Sequence, residues 1–220
     1  MNLALFDLDH TLIPCDSDVR WSEFLVRNGK LTEEDLRSGQ RFFQQYKSGT
    51  LNLNEFLQFQ LKPLREIEKT ELFKLRDLFI SESIKPMIRT TAKDLVLKHL
   101  NNGDTCAIVT ATNEFITEPI ANLFDVEKLI ATLLDTDING NFTGKIIGIP
   151  SFREGKVKRV SAWLSSNGRT LKSYNKSYFY SDSINDLPLL KCVTNPVVTN
   201  PDVRLRALAN EFGWVINDLF

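Results

Sequence analysis

Four aspartates dominate the chemistry open to this sequence, and they come in two short-range pairs. Asp7 and Asp9 lie in Asp7-Leu8-Asp9-His10-Thr11, and Asp182 and Asp186 lie in Ser181-Asp182-Ser183-Ile184-Asn185-Asp186. A third polar cluster, Thr110-Ala111-Thr112, stands between them in the chain. Each cluster follows a short apolar run: Leu3–Leu8, Cys106–Val109 and Ser177–Tyr180. Runs of that length suit strands buried on both faces of a parallel sheet. In an open α/β sheet, groups just beyond the carboxyl ends of the strands share one crevice. Four carboxylates would meet there, and two unit charges 4 Å apart repel by about 4 kcal/mol even at an effective dielectric of 20. A cation among them, or protonation, is the physical remedy. A hard, oxygen-only site with open water positions fits Mg2+ better than zinc. Cation, hydroxyls and carboxylates without a histidine point to phosphate chemistry. A lysine belongs with such a group, and Gly155-Lys156 opens a helix before the Asp182–Asp186 cluster; Lys156 is favoured over Lys158, which lies further into that helix.

The elements that must position these residues alternate. Beyond the three buried strands, weaker strands are expected at Val193–Val198 and Trp214–Ile216. Helical spacing marks Ile88–Leu100, stopped by Asn102-Gly103, and also Asn113–Phe124, Glu154–Leu164, Asn185–Leu190 and Asp202–Phe212. Strand alternating with helix predicts an α/β fold, a doubly wound, Rossmann-like parallel sheet. Asp16–Lys85 breaks the alternation. It carries helical patterns at Asp18–Arg27, at Thr32–Lys47 behind a Thr32/Asp35 capping box, at Asn54–Leu61 ended by Pro63, and at Glu66–Phe79. That is too long for a simple crossover, so residues 16–85 are expected to form a helical cap inserted into a core of residues 1–15 and 86–220. A hairpin is expected across Ile130–Ile147, turning at Asn139-Gly140.

Asp7-x-Asp9-x-Thr11, Thr110, Lys156 and Asp182-x-x-x-Asp186, in that order, resemble the four motifs of the haloacid dehalogenase superfamily. The helical insertion between the first two resembles the phosphoserine-phosphatase-like branch. The resemblance spans essentially the whole chain. It implies that Asp7 attacks phosphorus and becomes an aspartyl phosphate, and that Asp9 protonates the leaving alkoxide and later deprotonates water. It implies that Mg2+ is held by Asp7, the carbonyl of Asp9, Asp182 and Asp186, the last directly or through water. Thr110 and Lys156 would then contact the phosphoryl group, with Thr11 and Asn185 close by. Thr112 is an alternative helix N-cap, and Asn185 is placed equally to cap a helix or to contact the phosphate. Dehalogenase relatives lack the second aspartate, so Asp9 implies a phosphate substrate.

The same resemblance assigns the cap to reading the leaving group, with Asp16 and Asp18 as candidates to hold an amine. Gln58 or Gln60 stands where phosphoserine phosphatases carry a carboxylate-gripping arginine, and a neutral amide is a poor substitute for a guanidinium. Arg41 and Arg65 are the other cap candidates. Histidinol phosphate, phosphoserine and phosphoethanolamine are the expected substrate types.

Composition narrows the partners. The 27 basic residues nearly balance 28 acidic ones, and no basic block tracks a phosphate backbone, so nucleic acid is not expected. The sequence shows no signal peptide or membrane span, and three scattered cysteines read as reduced thiols, which together point to the cytoplasm. Oligomeric state is not legible. A phosphotransferase would use the same residues, and a receiver-like phosphoaspartate switch would need neither Asp9 nor a cap. Asp7→Asn is expected to abolish phosphate release while leaving the melting curve intact; substantial turnover by the folded variant would remove Asp7 from the nucleophile's role.

Overall fold

The computed structural model describes residues 1–46 and 48–220. Six strands form one parallel sheet: β1 (Leu3–Phe6), β2 (Thr105–Asn113), β3 (Leu129–Thr132), β6 (Ser177–Ser181), β7 (Asn195–Thr199) and β8 (Val215–Asn217), in the order β3-β2-β1-β6-β7-β8. β1 is central, with Leu3 paired to Thr105 on one side and to Ser177 on the other. The chain builds outwards to β3, returns across β1 and continues from β6. The reversal of winding at β1 leaves a crevice at the carboxyl ends of β1, β2 and β6.

Alternation along β1 divides the core. Ala4 and Phe6 face one apolar cluster, Leu3 and Leu5 the other. The second cluster is closed by α7 (Glu154–Ser166), α8 (Leu187–Leu190) and α9 (Val203–Phe212), through Val160, Leu164, Leu189, Leu205 and Ala209. The first is covered by α5 (Thr90–Asn101) and α6 (Glu114–Asn122), and it runs on without a break into the helices of residues 16–85.

Those helices are α1 (Ser17–Arg27), α2 (Glu33–Ser48), α3 (Leu53–Glu66) and α4 (Lys69–Phe79), followed by a π turn at Ile80–Ile84. Thr32 and Asp35 form the expected capping box, and Gly49 ends α2 in a left-handed conformation. The expected stop at Pro63 does not occur. α3 continues to Glu66 because Pro63 lies in the last turn, where its missing N–H costs one hydrogen bond, and it is buried together with Leu61 and Leu64. Trp21 and Phe24 of α1 meet Phe79 at ring distances of 5.2 and 5.6 Å, and Trp21 also meets Phe115 of α6. The inserted helices are therefore rooted in the core by an aromatic joint.

Two further boundaries differ from expectation. β2 runs on to Asn113, so Thr110 and Thr112 lie on the strand, not after it. The first arm of the hairpin splits: Leu129–Thr132 joins the parallel sheet as β3, and only β4 (Leu134–Thr136) pairs antiparallel with β5 (Phe142–Ile146). Asn139-Gly140 does make the turn, with Gly140 at φ 73°. No helix among the described residues is long and apolar enough to cross a membrane.

Phe79→Ala, at a fully buried ring, is expected to cost about 3–5 kcal/mol and to lower Tm by roughly 10 °C. Calorimetry should show one transition moved down. An unmoved core transition beside a separately melting helical layer would show that the aromatic joint does not couple them.

Candidate active site

The peptide of Asp7 continues the β1–β6 ladder one residue past the strand, its N–H donating to the Tyr180 carbonyl at 2.9 Å. The chain then folds back on itself. The Leu8 carbonyl accepts from the N–H groups of Thr11, Leu12 and Ile13, and His10 takes a left-handed φ of 56°. This tight loop brings Thr11 underneath Asp7. The Thr11 hydroxyl lies 3.2 Å from Asp7 Oδ2 and 3.3 Å from Asp182 Oδ1, and it accepts from the Asp182 N–H at 3.1 Å. Thr11 thus braces the first aspartate cluster against the last.

Lys156 enters from the first turn of α7 and is 2% exposed. Its Nζ donates to Asp7 Oδ1 and to Asp186 Oδ2, both at 2.7 Å, and Ser181 Oγ donates to the same Asp186 oxygen at 2.7 Å. Gly155 is what lets α7 start so close: a Cβ there would stand 2.0 Å from the Pro150 carbonyl oxygen. Lys158 is exposed to solvent, which decides between the two lysines. Asp186 is therefore seen as the second anchor of Lys156.

Asp9 points the other way. Its Oδ1 accepts from the Ser17 N–H at 2.8 Å, and its Oδ2 from the Thr112 hydroxyl at 2.9 Å. The same hydroxyl lies 3.1 Å from Asp18 Oδ2. A threonine has one hydrogen to give, so both contacts hold together only when one of the two carboxyls carries a proton. Burial, with Asp16 and Asp9 nearby, pushes Asp18 well above the usual carboxylate range, which makes Asp18 the natural carrier. Asp16 spends one oxygen capping α1, accepting from the Val19 N–H at 2.9 Å.

Burial governs the charges. Desolvation raises Asp7 against the pull of Lys156, and it raises Asp182 well above the ordinary range with help from Asp7 and Asp186. Desolvation, then Asp16, lifts Asp9 to about 6; Asp186 reaches about 6 by desolvation, with Lys156 opposing. Burial alone would depress Lys156, but Asp186 and Asp7 outweigh it and hold the ammonium charged. One lysine thus faces three carboxylates, Asp7, Asp182 and Asp186. The donor set is all oxygen. Among the described residues no three His, Cys, Asp or Glu side chains form a ready-made metal cage, so a cation here would be held by a pair of carboxylates plus carbonyl and water oxygens. That is how a hard divalent ion such as magnesium is usually bound, and the residues fit it.

Above the aspartates lies a cavity of about 80 Å3, room for several waters or a small organic group. Asp9, Asp16, Asp18, Thr110 and Thr112 line its floor, and Phe42, Phe43, Phe56 and Phe59 of α2 and α3 line its roof. Thr110 accepts from the Thr112 N–H at 3.2 Å. Of the two glutamines, Gln60 lines the cavity and Gln58 is exposed. Arg41 and Arg65 are also exposed, bonded to Ser38 and Glu66. No lysine or arginine is among the described residues that line the cavity, though His10 is.

Asn185 is not a helix cap: Ser183 caps the turn at Ile184–Asp186, accepting from the Asn185 N–H. The Asn185 side-chain amide bridges the core and the helical layer, accepting from Arg153 Nε ahead of α7 at 3.1 Å and donating to the Tyr46 carbonyl of α2 at 3.1 Å. Tyr46, whose OH lies 3.2 Å from Ser183 Oγ, was missed in the sequence reading, as was the role of Thr112. The signal for Tyr46 was present: Leu36, Gly39, Phe43 and Tyr46 recur at helical spacing on the cavity face of α2.

A family model described as haloacid dehalogenase-like hydrolase matches residues 4–191. The chain is 43% identical over 216 residues to a histidinol-phosphatase of Neisseria meningitidis, covering 98% of this chain and 97% of the relative. It is 32% identical to a phosphoserine phosphatase of Mycobacterium tuberculosis, over 98% of this chain and 70% of that one. A solved structure from Bordetella pertussis, described as a protein of unknown function, superposes with a TM-score of 0.94 at 46% identity, over 100% and 99% of the two chains.

Because the folded-state values of Asp9, Asp182 and Asp186 are raised, their protonation adds stability at low pH that is lost as pH rises through those values. Without metal, Tm is expected to fall as pH climbs from about 4 past 6. Millimolar Mg2+ should reverse that fall at pH 7.5 in the wild type and not in Asp182→Asn. A metal-free Tm that rises over that interval, or equal Mg2+ shifts in both proteins, would contradict this electrostatic account.

Proposed function

The chain belongs to the haloacid dehalogenase-like hydrolase family and is a phosphatase of phosphate monoesters, and on that premise we propose that it hydrolyses histidinol phosphate through an aspartyl phosphate on Asp7, with Mg2+ at Asp7 and Asp182. One observation carries the substrate. The cavity above the phosphate site offers the Asp16 carboxylate, the Asp18 carboxyl group and a roof of phenylalanines, with no lysine or arginine among its described lining. An amine and an imidazole find counter-charge and ring faces there. The carboxylate of phosphoserine finds none. The similarity to a histidinol-phosphatase over nearly the full length of both chains supports the same reading.

The residues divide the work. Lys156 fixes Asp7 through Oδ1 and supplies positive charge where phosphoryl oxygens gather. Asp7 attacks phosphorus in line, and the P–O bond to the leaving alkoxide breaks as Asp9 delivers its proton to that oxygen. A pKa near 6 lets Asp9 hold that proton and then, as carboxylate, take one from the water that attacks the phosphoryl-aspartate. Inorganic phosphate leaves and Asp7 is restored. Thr110, whose oxygen accepts from Thr112, keeps its hydrogen for a phosphoryl oxygen. Bound Mg2+ would supply Lewis-acid charge to the phosphoryl group. Thr112, between Asp9 and Asp18, couples the proton donor to the residue that meets the leaving group.

With Mg2+ present, kcat/KM for histidinol phosphate is expected to exceed that for phosphoserine by at least about tenfold, the scale of an unpaired charge in a buried site. Gln60→Arg should shrink or reverse that ratio by gaining on phosphoserine. A wild-type preference for phosphoserine would sink the assignment.

A further inference from the structure

The loop ahead of α7 holds contacts that the phosphoryl chemistry does not use. Arg153, the residue before the helix, sits at φ 50° and ψ −120°, a backbone region that disfavours any side chain with a Cβ. From there its guanidinium reaches two different segments. Nε donates to Asn185 Oδ1 at 3.1 Å, and Nη2 donates to the Gly49 carbonyl at 3.0 Å. Gly49 is the left-handed cap that ends α2, and Asn185 belongs to the loop carrying Asp182 and Asp186. Asn185 also donates to the carbonyl of Tyr46, and the Tyr46 ring lies 5.8 Å from Phe152, over which the Arg153 guanidinium stacks at 4.9 Å. The last turn of α2 is thereby tied to the loop that leads into Lys156 and to the loop of the last two aspartates.

α1 and α4 are rooted by the aromatic joint, whereas α2 packs chiefly on α1 and α3. Its hold on the core rests on these polar bonds and on ring contacts such as His10 with Phe43. Hydrogen bonds of this kind are strong enough to bias a closed state and weak enough to break in each cycle. A site roofed by Phe42, Phe43, Phe56 and Phe59 must open to admit substrate and release phosphate. The planar fork of a guanidinium presents Nε and Nη2 in fixed directions, which here match two acceptors on separate segments.

We propose that Arg153 is a positioning residue: it fastens the end of α2 onto the core and so fixes the closed arrangement in which Asn185 and the Asp182–Asp186 loop are held during phosphoryl transfer. It does not line the cavity and touches no reacting atom. Its strained backbone is retained because it aims the guanidinium across the gap.

Arg153→Gly separates this role from a merely structural one. Glycine relieves the positive φ, so Tm should hold or rise while the fastening is lost. With p-nitrophenyl phosphate and Mg2+ as the probe, kcat is expected to fall on the order of 10- to 100-fold with a smaller change in KM, as for other misplacements remote from the chemistry. Free guanidinium at millimolar concentration should restore part of that loss saturably. Amide hydrogen exchange at residues 44–50 should quicken, a readout independent of any substrate. Arg153→Lys, which keeps the charge but lacks the two separately directed nitrogens of the fork, should fall between wild type and the glycine variant. The proposal is overturned if kcat of the glycine variant stays within twofold of wild type, if exchange at 44–50 is unchanged, or if activity falls only in step with a loss of folded protein. None of these readouts depends on the leaving group, so a failed histidinol phosphate assignment would leave them intact.

Discussion

Everything at the carboxyl end of this sheet answers to the crowding of negative charge. Asp7 and Asp186 share one buried ammonium, Asp182 lies within its electrostatic reach, and burial removes the water that would otherwise separate these charges. At an effective dielectric near 20, each like pair at contact costs about 4 kcal/mol, and Lys156 can compensate only part of that. The fold meets the shortfall in three ways. Thr11 cross-braces two of the carboxyls, the raised pKa values let protons stand in for missing cations, and the oxygen-only geometry invites a divalent ion. Phosphate arrives with more negative charge still. A site that tolerates it must hold its positive charge rigidly, and α7 starting against Pro150 through Gly155 supplies that rigidity.

The second carboxyl group, Asp9, is kept out of the lysine's reach. It is held by the Ser17 N–H and by Thr112, so its proton affinity is set by burial and by Asp16, not by an ion pair. Two aspartates separated by a single residue thus acquire different duties because one turns towards Lys156 and the other towards the inserted helices. Thr112 touches Asp9 and Asp18 alike, so in the proposed mechanism the proton donor and the residue facing the leaving group would be one hydroxyl apart.

The inserted helices are in part a continuation of the core and in part a cover. Trp21, Phe24 and Phe79 pack with Phe115 of the core, giving α1 and α4 a fixed base. α2 and α3 overhang the aspartates, and the cavity lies beneath their phenylalanines. An overhang fixed at one end and held by polar contacts at the other suits a site that must alternate between access and exclusion of water.

How much of this was legible in the chain follows from how local each feature is. The three strands and the clusters that end them are written in runs of four to six residues, so the two aspartate pairs, the threonine cluster and Lys156 could be named, and the parallel sheet with its helical insertion inferred, from order and spacing, the resemblance to a known family singling out Thr110. Helix rotation was less accessible. That Gln60 faces the cavity and Gln58 faces water, or that α3 runs through Pro63, depends on which side of a helix the rest of the protein covers. Least legible were contacts between segments remote in sequence: Tyr46 with Ser183, 137 residues apart, Arg153 with Gly49, 104 apart, and Thr112 with Asp18, 94 apart. The sequence determined which chemical groups stand at the strand ends, because strand periodicity and turn residues act over a few positions. Only the tertiary structure decided which of them meet, since that depends on the packing of whole layers, here the seating of α2 across the carboxyl edge of the sheet.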